Sequence, residues 1–247
     1  MAQWQNGRVA ERIDWNGRLH SLRIESAIEP FRAGQFVKIG LEIDGEIIGR
    51  PYSLVNAPQE QTLEFYFSVI PEGPLSPRLA KLAAGDRVLV APHASGFLVV
   101  DEAPPANHLW LLSTGTGIGP FLSILKTAEP WERFQRVVLV HAVRSSEELS
   151  YRRTIASIAE ANGQRFCYIP MVSREAADYA LSGRIPLAIA DGRLETRAHL
   201  RLDPAQSHVM LCGNPAMIED TVAALKNRGL IKHRRKAPGQ ISVESYW

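Results

Sequence analysis

The sequence predicts a two-domain protein of the β plus α/β class, with an antiparallel β-barrel over residues 1–100 and a parallel-sheet α/β domain over residues 101–247. Short strands separated by turn residues occupy the first part, whereas longer apolar strands alternate with helices in the second. Between them, the segment 101–106 (DEAPPA) is acidic and proline-rich, as linkers between domains often are. The length of 247 residues exceeds one typical module and suits one or two domains.

The barrel prediction rests on six short segments rich in Val, Ile, Leu, Phe and Tyr. Turn-forming pairs such as Asn16-Gly17 separate them, and one helical segment, 76–84, interrupts the series. Within 63–69 the odd positions are apolar, which is the period of a half-buried strand. Six such strands favour a small antiparallel barrel. The predicted strands are 7–14, 18–25, 35–41, 46–55, 62–70 and 87–91.

The α/β prediction rests on two continuous apolar runs, 108–113 and 136–141, which are typical of parallel strands buried on both faces. Two further strands are expected at 166–172 and 207–212. The alternation of these strands with helices predicts a parallel sheet covered by helices. The predicted helices are 118–129, 147–162 and 215–228.

Composition and charge exclude several classes of protein. Hydrophobic residues make up 45% and charged residues 22%, which is ordinary for a globular protein with a buried core. The net charge of +2, from 28 basic and 26 acidic side chains, is too balanced for a protein that coats nucleic acid. No apolar run approaches the ~20 residues that cross a bilayer, and the first residues lack the apolar core of a signal peptide. We therefore expect a cytoplasmic protein with neither nucleic acid nor membrane as a partner.

The chain contains two cysteines, Cys167 and Cys212. An iron–sulfur cluster normally takes four thiolates, and neither a Cys-x-x-Cys pair nor a His-x-x-x-His run indicates zinc. We therefore expect no metal centre, and we expect both cysteines to remain thiols in a reducing compartment.

The strongest nucleotide-binding signal is the segment 113–120 (STGTGIGP), which lies between a predicted strand and a predicted helix. Glycines allow a backbone to approach a phosphate closely, and a helix N-terminus offers unpaired N–H groups to an anion. Pro120 suits the first turn of the helix. The spacing differs from the common dinucleotide fingerprint, which has two residues between its second and third glycines. The pattern therefore fits either a phosphate site or a strand-to-helix turn without a ligand.

A second motif, RPYSLVN at 50–56, lies at the end of a predicted barrel strand. Arg50 and Tyr52 share one face of an extended strand, so that a ligand there would meet a guanidinium for phosphate and a phenol for stacking. Ser53, on the other face, offers a hydroxyl, and Pro51 marks an edge or an interrupted ladder. The same residues also fit an ordinary exposed strand end.

A third motif, EGPLSPRL at 72–79, opens the helix of the barrel part. Ser76 is the predicted N-cap, and the N–H groups of Leu75 and Ser76 point toward a possible phosphate position, to which Pro74 adds none. A plain helix start has the same pattern. The segment MLCGNP at 210–215 is again a strand followed by a helix, with Asn214 as its predicted cap.

These motifs together resemble the ferredoxin–NADP reductase family, and within it the bacterial ferredoxin/flavodoxin–NADP reductases. The resemblance covers essentially the whole chain. It implies that the barrel binds FAD and that the α/β domain binds NADP(H). It also implies an oxidoreductase that moves electrons between NADPH and ferredoxin or flavodoxin, with hydride transfer to flavin N5 followed by single-electron steps. The matching motifs are RPYS at 50–53, GPLS at 73–76, GTGIGP at 115–120, CGNP at 212–215 and YW at 246–247.

The resemblance assigns Ser53 to hydrogen bonding near flavin N5 and Cys212 to the nicotinamide, although a buried cysteine is also ordinary core. It implies that the terminal Tyr246-Trp247 returns to the FAD, where Trp247 would stack on adenine; a terminal aromatic pair also occurs as a packing plug. The expected FAD contacts are Arg50, Pro51, Tyr52, Ser53, Tyr66, Pro74, Leu75, Ser76, Thr116, Tyr246 and Trp247. The expected NADP contacts are Gly115, Gly117, Arg144, Ser145, Ser173, Arg174, Arg184 and Gly213.

Residues after the parallel strands favour NADP over NAD. NAD proteins usually place an acid after the second strand, whereas NADP proteins place basic residues there. Here Arg144-Ser145 follow the second strand, Ser173-Arg174 follow the third, and Arg184 comes a little later. Guanidinium groups and hydroxyls suit the 2′-phosphate. The acids Glu147 and Glu148 lie close by, so solvated surface arginines remain an alternative.

The segment 226–236, KNRGLIKHRRK, contains six basic residues and no acid. Such a cluster could steer an acidic ferredoxin or flavodoxin to Lys232, Arg234, Arg235 and Lys236, or it could be a solvated surface. We expect a monomer. Two other functions remain open: an NADPH-dependent flavin or quinone reductase, and a regulatory subunit that binds FAD without turnover.

Overall fold

The computed structural model describes residues 4–245, so the predictions for Tyr246 and Trp247 lie outside the described residues. The first six strands form one antiparallel sheet in the order β4-β3-β6-β1-β2-β5. The sheet closes where the Val55 N–H donates to the Glu64 carbonyl at 2.9 Å, so the predicted barrel and its six strands are confirmed. The strands are β1 (Gln5–Asp14), β2 (Leu19–Glu25), β3 (Phe36–Ile43), β4 (Glu46–Ser53), β5 (Leu63–Ser68) and β6 (Arg87–Val90).

The helix of the barrel, α1 (Ser76–Leu79), is one turn long and therefore shorter than the predicted 76–84. The Asp86 carboxylate accepts the Ala83 N–H at 2.7 Å, and Gly85 adopts a φ of +95°. This turn directs the chain into β6 and ends the helical segment early.

The remaining strands form a parallel sheet in the order β10-β9-β8-β7-β11-β12. Alternate residues of β7 enter two separate cores, Leu109 and Leu111 on one face and Trp110 and Leu112 on the other. Both faces are therefore covered, as the continuous apolar runs predicted. The strands are β7 (His108–Thr114), β8 (Arg136–Val143), β9 (Phe166–Val172), β10 (Leu181–Ser182), β11 (Ser207–Gly213) and β12 (Ile241–Ser245). The helices are α2 (Gly119–Leu125), α3 (Glu129–Arg133), α4 (Arg152–Asn162), α5 (Ile185–Ala190), α6 (Arg193–Ala198) and α7 (Pro215–Lys226).

Two predicted helices are divided in the structure. The segment 118–129 ends as α2 at Leu125, and α3 starts separately. The segment 147–162 becomes a short 3₁₀ helix at 146–148 followed by α4, because Tyr151 adopts a left-handed φ of +60° that no α-helix accommodates. The sequence patterns did not predict four short elements, namely β10, α5, α6 and β12.

The segment 101–106 is packed, contrary to its linker-like composition. Residues 100–102 form a 3₁₀ helix, and Ala103 is buried. The Arg133 guanidinium of α3 donates to the carbonyls of Val100 at 2.5 Å and Ala103 at 2.7 Å. One apolar core also runs across the two sheets, since Leu19 and Val55 of the barrel side pack in the same cluster as residues of β7 and α2. Among residues 4–245, none of the helices has the length and apolar character that crossing a bilayer requires.

Candidate active site

A cleft of about 500 Å³ lies at the carboxyl ends of β7, β8 and β9, which is where open α/β sheets bind ligands. Residues of both domains line it, because Arg18 and Ser68 reach it from the barrel side. The predicted residues that it brings together are Gly115, Thr116, Arg144, Ser173, Arg174 and Arg184. Sequence reasoning missed Arg18, Ser68, Asn214, Met217 and Asp220. The barrel pair could not be found from the pattern of the α/β domain, since only the packing of the two domains places it there.

The predicted arginines of the cleft differ in their contacts. Arg174 and Arg184 are exposed, and neither guanidinium has an ion pair or hydrogen bond among residues 4–245. Arg144 is paired with Glu148, whose Oε1 accepts from its Nη2 at 2.6 Å and its Nε at 3.0 Å. The Arg144 backbone N–H also donates to Glu148 Oε2 at 3.1 Å. Two unpaired guanidinium groups and one neutralised group therefore line the cleft, which favours the binding of an anion such as phosphate.

The glycines of the two strand-to-helix turns serve different purposes. Gly115 has a φ of +52° and open space where a Cβ would lie, so its side of the turn faces the cleft. A Cβ on Gly117 would overlap the carbonyl of Cys212, and a Cβ on Gly213, at a φ of +144°, would overlap the Thr114 hydroxyl. Gly117 and Gly213 therefore allow the two turns to pack against each other. Their contact with NADP stays a prediction, as does that of Ser145, since none of the three lines the cleft.

The helix α7 starts as the sequence predicted. The Asn214 side chain accepts the N–H of Ala216 at 2.9 Å and of Met217 at 3.4 Å, which is a regular N-cap. The Asn214 N–H donates to the Thr114 hydroxyl at 3.2 Å. This bond links the two turns at the edge of the cleft.

A half-buried carboxyl, Glu244, lies where β12 meets the barrel. It is beside Cys212 in the pairing of β11 with β12, and a Cβ on Gly96 would lie 3.0 Å from its Oε2 and 3.1 Å from the Phe36 ring. Phe36 in turn faces Ser53 across β3 and β4. Glu244 Oε1 has no hydrogen-bond partner among the described residues, and burial raises the pKa of this carboxyl to about 7. Its sequence signal is weak, an acid within the otherwise uncharged GQISVES.

The RPYS motif presents its charge to solvent at the end of β4. Arg50 and Pro51 are exposed, and the Arg50 guanidinium donates to the Gly49 carbonyl at 2.9 Å. Tyr52 is half-buried edge-on to Phe67, with ring centroids 5.9 Å apart, and burial raises the pKa of its phenol to about 12. Ser53 is buried. Burial therefore increases along the motif from Arg50 to Ser53 and does not alternate between the two faces of the strand.

The chain is similar to known proteins over its whole length. Family models for an oxidoreductase FAD-binding domain and an oxidoreductase NAD-binding domain match residues 8–94 and 111–223. The flavodoxin/ferredoxin–NADP reductase of Escherichia coli (strain K12) is 46% identical over 248 residues and covers 100% of both chains. A ferredoxin NADP⁺ reductase from Neisseria gonorrhoeae, solved with bound FAD and NADP, matches with a TM-score of 0.94 at 35% identity over 100% of each chain. The chain belongs to the flavodoxin/ferredoxin–NADP reductase family.

Family membership confirms the predicted fold class, and it makes the chain an oxidoreductase with FAD and NADP(H) as cofactors. The described residues fit both. On the barrel side, Arg50 keeps N–H groups that bond to no described residue, and Glu244 Oε1 is a buried atom without a partner. In the cleft, the exposed Arg174 and Arg184 suit a phosphate.

Two of the expected FAD contacts point inward. Ser76 is the first residue of α1 and not its N-cap, because its hydroxyl turns back to accept the Ile70 N–H at 2.9 Å; Leu75 holds the cap position without a side-chain bond. The Tyr66 hydroxyl bonds Ser150 Oγ at 2.8 Å, and its ring is covered by other aromatic side chains. The predicted cap is therefore wrong, and the FAD contacts of Tyr66, Leu75, Ser76 and the exposed Pro74 stay predictions.

The basic segment 226–236 is not uniformly available to a partner. Arg235 is bound to Glu102, with its Nε 3.0 Å from Oε2, and its guanidinium lies 4.2 Å over the Phe97 ring. Lys232, Arg234 and Lys236 are exposed and form no ion pair among residues 4–245. Arg235 therefore stabilises the contact between the segment and the 101–106 join, and three of the four predicted docking residues remain candidates.

Proposed function

We propose that the protein transfers electrons between NADPH and an acidic carrier, flavodoxin or ferredoxin, with residues 1–100 holding FAD and residues 101–247 holding NADP(H). The observation that carries the proposal is the cleft between the domains, in which unpaired arginines of the α/β domain face Arg18 of the barrel. Relatives with full coverage at 46% identity are named flavodoxin/ferredoxin–NADP reductases, which supports the choice of acceptor.

The barrel residues would hold the FAD. Arg50 would neutralise its diphosphate, Tyr52 would pack on the isoalloxazine, and Ser53 would hydrogen-bond near N5. When bound, FAD takes a hydride from NADPH and releases the electrons singly. The chain's part is to bind, to orient and to exclude water.

The α/β residues would hold NADP(H). Arg174 and Arg184 would bind the 2′-phosphate, and Arg144 would join them in competition with Glu148. Cys212, buried at the end of β11, would orient the nicotinamide by packing. Glu244, whose pKa of about 7 keeps a large share of its carboxyl protonated at neutral pH, can donate a hydrogen bond into this region.

The proposed partner is an acidic electron carrier that would approach the basic segment 226–236. Lys232, Arg234 and Lys236 would steer the acidic carrier toward the FAD side through long-range attraction. Both cofactor regions are built from one chain, which supports action as a monomer. We propose a cytoplasmic location.

The test is to purify the protein and record its visible spectrum before and after NADPH. We expect one FAD per chain, bleaching by NADPH, and electron transfer to flavodoxin or ferredoxin. Arg50→Ala should weaken FAD binding by about 1.5–3 kcal/mol, the scale of a charge-assisted hydrogen bond. Arg87→Ala is the matched control, since Arg87 is an exposed barrel arginine whose bond is to Asn6 at 2.8 Å.

The alternatives give different results in the same experiment. A colourless protein that takes up no FAD would contradict the flavoenzyme. Flavin bleached by NADPH with transfer only to free flavins or quinones would indicate a flavin or quinone reductase. Bound FAD that NADPH does not reduce would indicate a regulatory subunit.

A further inference from the structure

A chain of buried hydrogen bonds crosses from the barrel to the α/β domain. The Tyr151 hydroxyl donates to Glu64 Oε1 at 2.6 Å and lies 2.6 Å from Ser21 Oγ. The Trp15 Nε1–H donates to the same serine at 2.8 Å. Each hydroxyl has one proton, so the order is fixed: Trp15 donates to Ser21, Ser21 to Tyr151, and Tyr151 to Glu64.

Aromatic packing surrounds this chain. The Tyr151 ring lies 4.5 Å from the Trp15 ring and 5.2 Å from the Tyr66 ring, centroid to centroid. Tyr151 is 5% exposed, Glu64 is 4% exposed and Ser21 is 0% exposed. Water therefore cannot replace the bonds, and burial raises the pKa of Tyr151 well above its ordinary value, so its hydroxyl keeps the proton it donates.

The backbone of Tyr151 is held in an unfavourable conformation. Its φ of +60° is rare for a bulky residue with a Cβ and is energetically unfavourable. This conformation interrupts the predicted helix and turns the ring into the space between the domains. Such strain persists only where surrounding contacts determine the conformation, and here those contacts come from the barrel.

The position of these residues along the chain relates them to the cleft. Arg18 and Leu19 line the cleft from the barrel side and lie between Trp15 and Ser21 in sequence. Arg144 and Glu148 line it from the other side, a few residues before Tyr151. The hydrogen-bonded chain therefore ties together the segments that form the two opposing walls.

We propose that Tyr151 is a positioning residue that ties the barrel to the α/β domain and thereby sets the distance across the cleft. The inference rests on the proposed function, because hydride transfer depends on the relative placement of the cofactors that the two domains hold. Misplacement by about 1 Å can slow such a step about a hundredfold while leaving the binding of each half of the site intact.

The test compares Tyr151→Phe, which removes the hydroxyl and keeps the ring, with Tyr179→Phe. Tyr179 is an exposed tyrosine of the α/β domain whose hydroxyl accepts from Arg152 at 3.1 Å, within that domain. Four quantities are measured on the FAD-loaded protein: amide hydrogen exchange of 15–21 and 147–151, affinity for 2′,5′-ADP, and the rates of flavin reduction by saturating NADPH and by dithionite in stopped flow.

For Tyr151→Phe we expect exchange in both segments to accelerate about tenfold and reduction by NADPH to slow tenfold or more. Affinity for 2′,5′-ADP, which lacks the nicotinamide, should stay within twofold, as should flavin reduction by dithionite. Tyr179→Phe should match the wild type throughout. If Tyr151 had only a structural role, Tyr151→Phe would lower the stability of the protein without slowing reduction by NADPH at unchanged affinity for 2′,5′-ADP.

Two results would overturn the inference: wild-type exchange and reduction rates in Tyr151→Phe, or a loss of 2′,5′-ADP affinity that accounts for the slower reduction. Should Tyr151→Phe fail to fold, Ser21→Ala removes the middle hydroxyl, and the same pattern is expected; its absence would count equally against the proposal. A wild-type protein that NADPH does not reduce would contradict the proposed function, while the exchange comparison would still decide whether Tyr151 ties the domains.

Discussion

The two cofactor regions treat charge in opposite ways. In the cleft of the α/β domain, Arg174 and Arg184 are exposed to solvent. Ser53 and Cys212 are buried, and the half-buried Glu244, which is paired with Cys212 across β11 and β12, has no hydrogen bond to its Oε1 among the described residues. Solvated charge suits a ligand that binds and leaves in every turnover, whereas a dry environment suits the place where hydride moves. On the proposed function, NADPH binding and hydride transfer would therefore take place in neighbouring but electrostatically different surroundings.

The largest expected effect is at Glu244. Burial raises its pKa from 4.5 to about 7, so the folded protein holds a proton that the unfolded chain releases. Its contribution is therefore favourable below pH 4.5 and is lost as the pH rises through about 7, which amounts to about 3 kcal/mol by pH 8. Glutamine does not ionise, so the Glu244→Gln protein should not lose this part of its free energy of unfolding as the pH rises. Urea unfolding at a series of pH values measures the free energy of unfolding of both proteins. If the two pH profiles run parallel, the Glu244 carboxyl is solvated and its pKa is not raised.

An intermediate effect is expected for the arginines of the cleft. Arg174→Ala and Arg184→Ala should each cost about 1.5–3 kcal/mol of NADPH binding, as charge-assisted bonds do. Arg144→Ala should cost about 1 kcal/mol, since Glu148 already neutralises this group. Titration with 2′,5′-ADP measures the loss and 5′-ADP is the control. Equal losses for both ligands would remove these residues from the 2′-phosphate site.

The smallest effect is expected on the outer surface. Reversing the charge of Lys232, Arg234 and Lys236 should slow association with flavodoxin or ferredoxin and flatten its salt dependence, at under about 1 kcal/mol per exposed charge. Flavin reduction by NADPH should not change. The control reverses the exposed Lys81, Arg153 and Arg201 instead. Stopped flow at low and high salt distinguishes the two variants, and identical carrier kinetics would exclude the segment from docking.

The sequence by itself determined the class of fold and much of the cleft. Parallel strands that are buried on both faces have continuous apolar sequences, and their carboxyl ends lie at the same edge of the sheet. That rule brought Gly115, Arg144 and Arg174 together from segments far apart in the chain. The cap at Asn214 was equally predictable, because it depends on residues two and three positions away.

Which charged side chains are paired within the protein, and which stay available to a ligand or partner, depends on the tertiary structure. Arg235 finds Glu102 across 133 residues, and Tyr151 finds Glu64 across 87. No local period encodes such pairs, because they form only when segments far apart in the chain pack together, within one domain for Arg235 and Glu102 and between the two domains for Tyr151 and Glu64. The partial burial of Glu244 has the same origin, since it depends on β12 lying against the barrel. Periodicity and turn chemistry act over a few residues, whereas desolvation and pairing of charge depend on everything that surrounds a group in the folded protein.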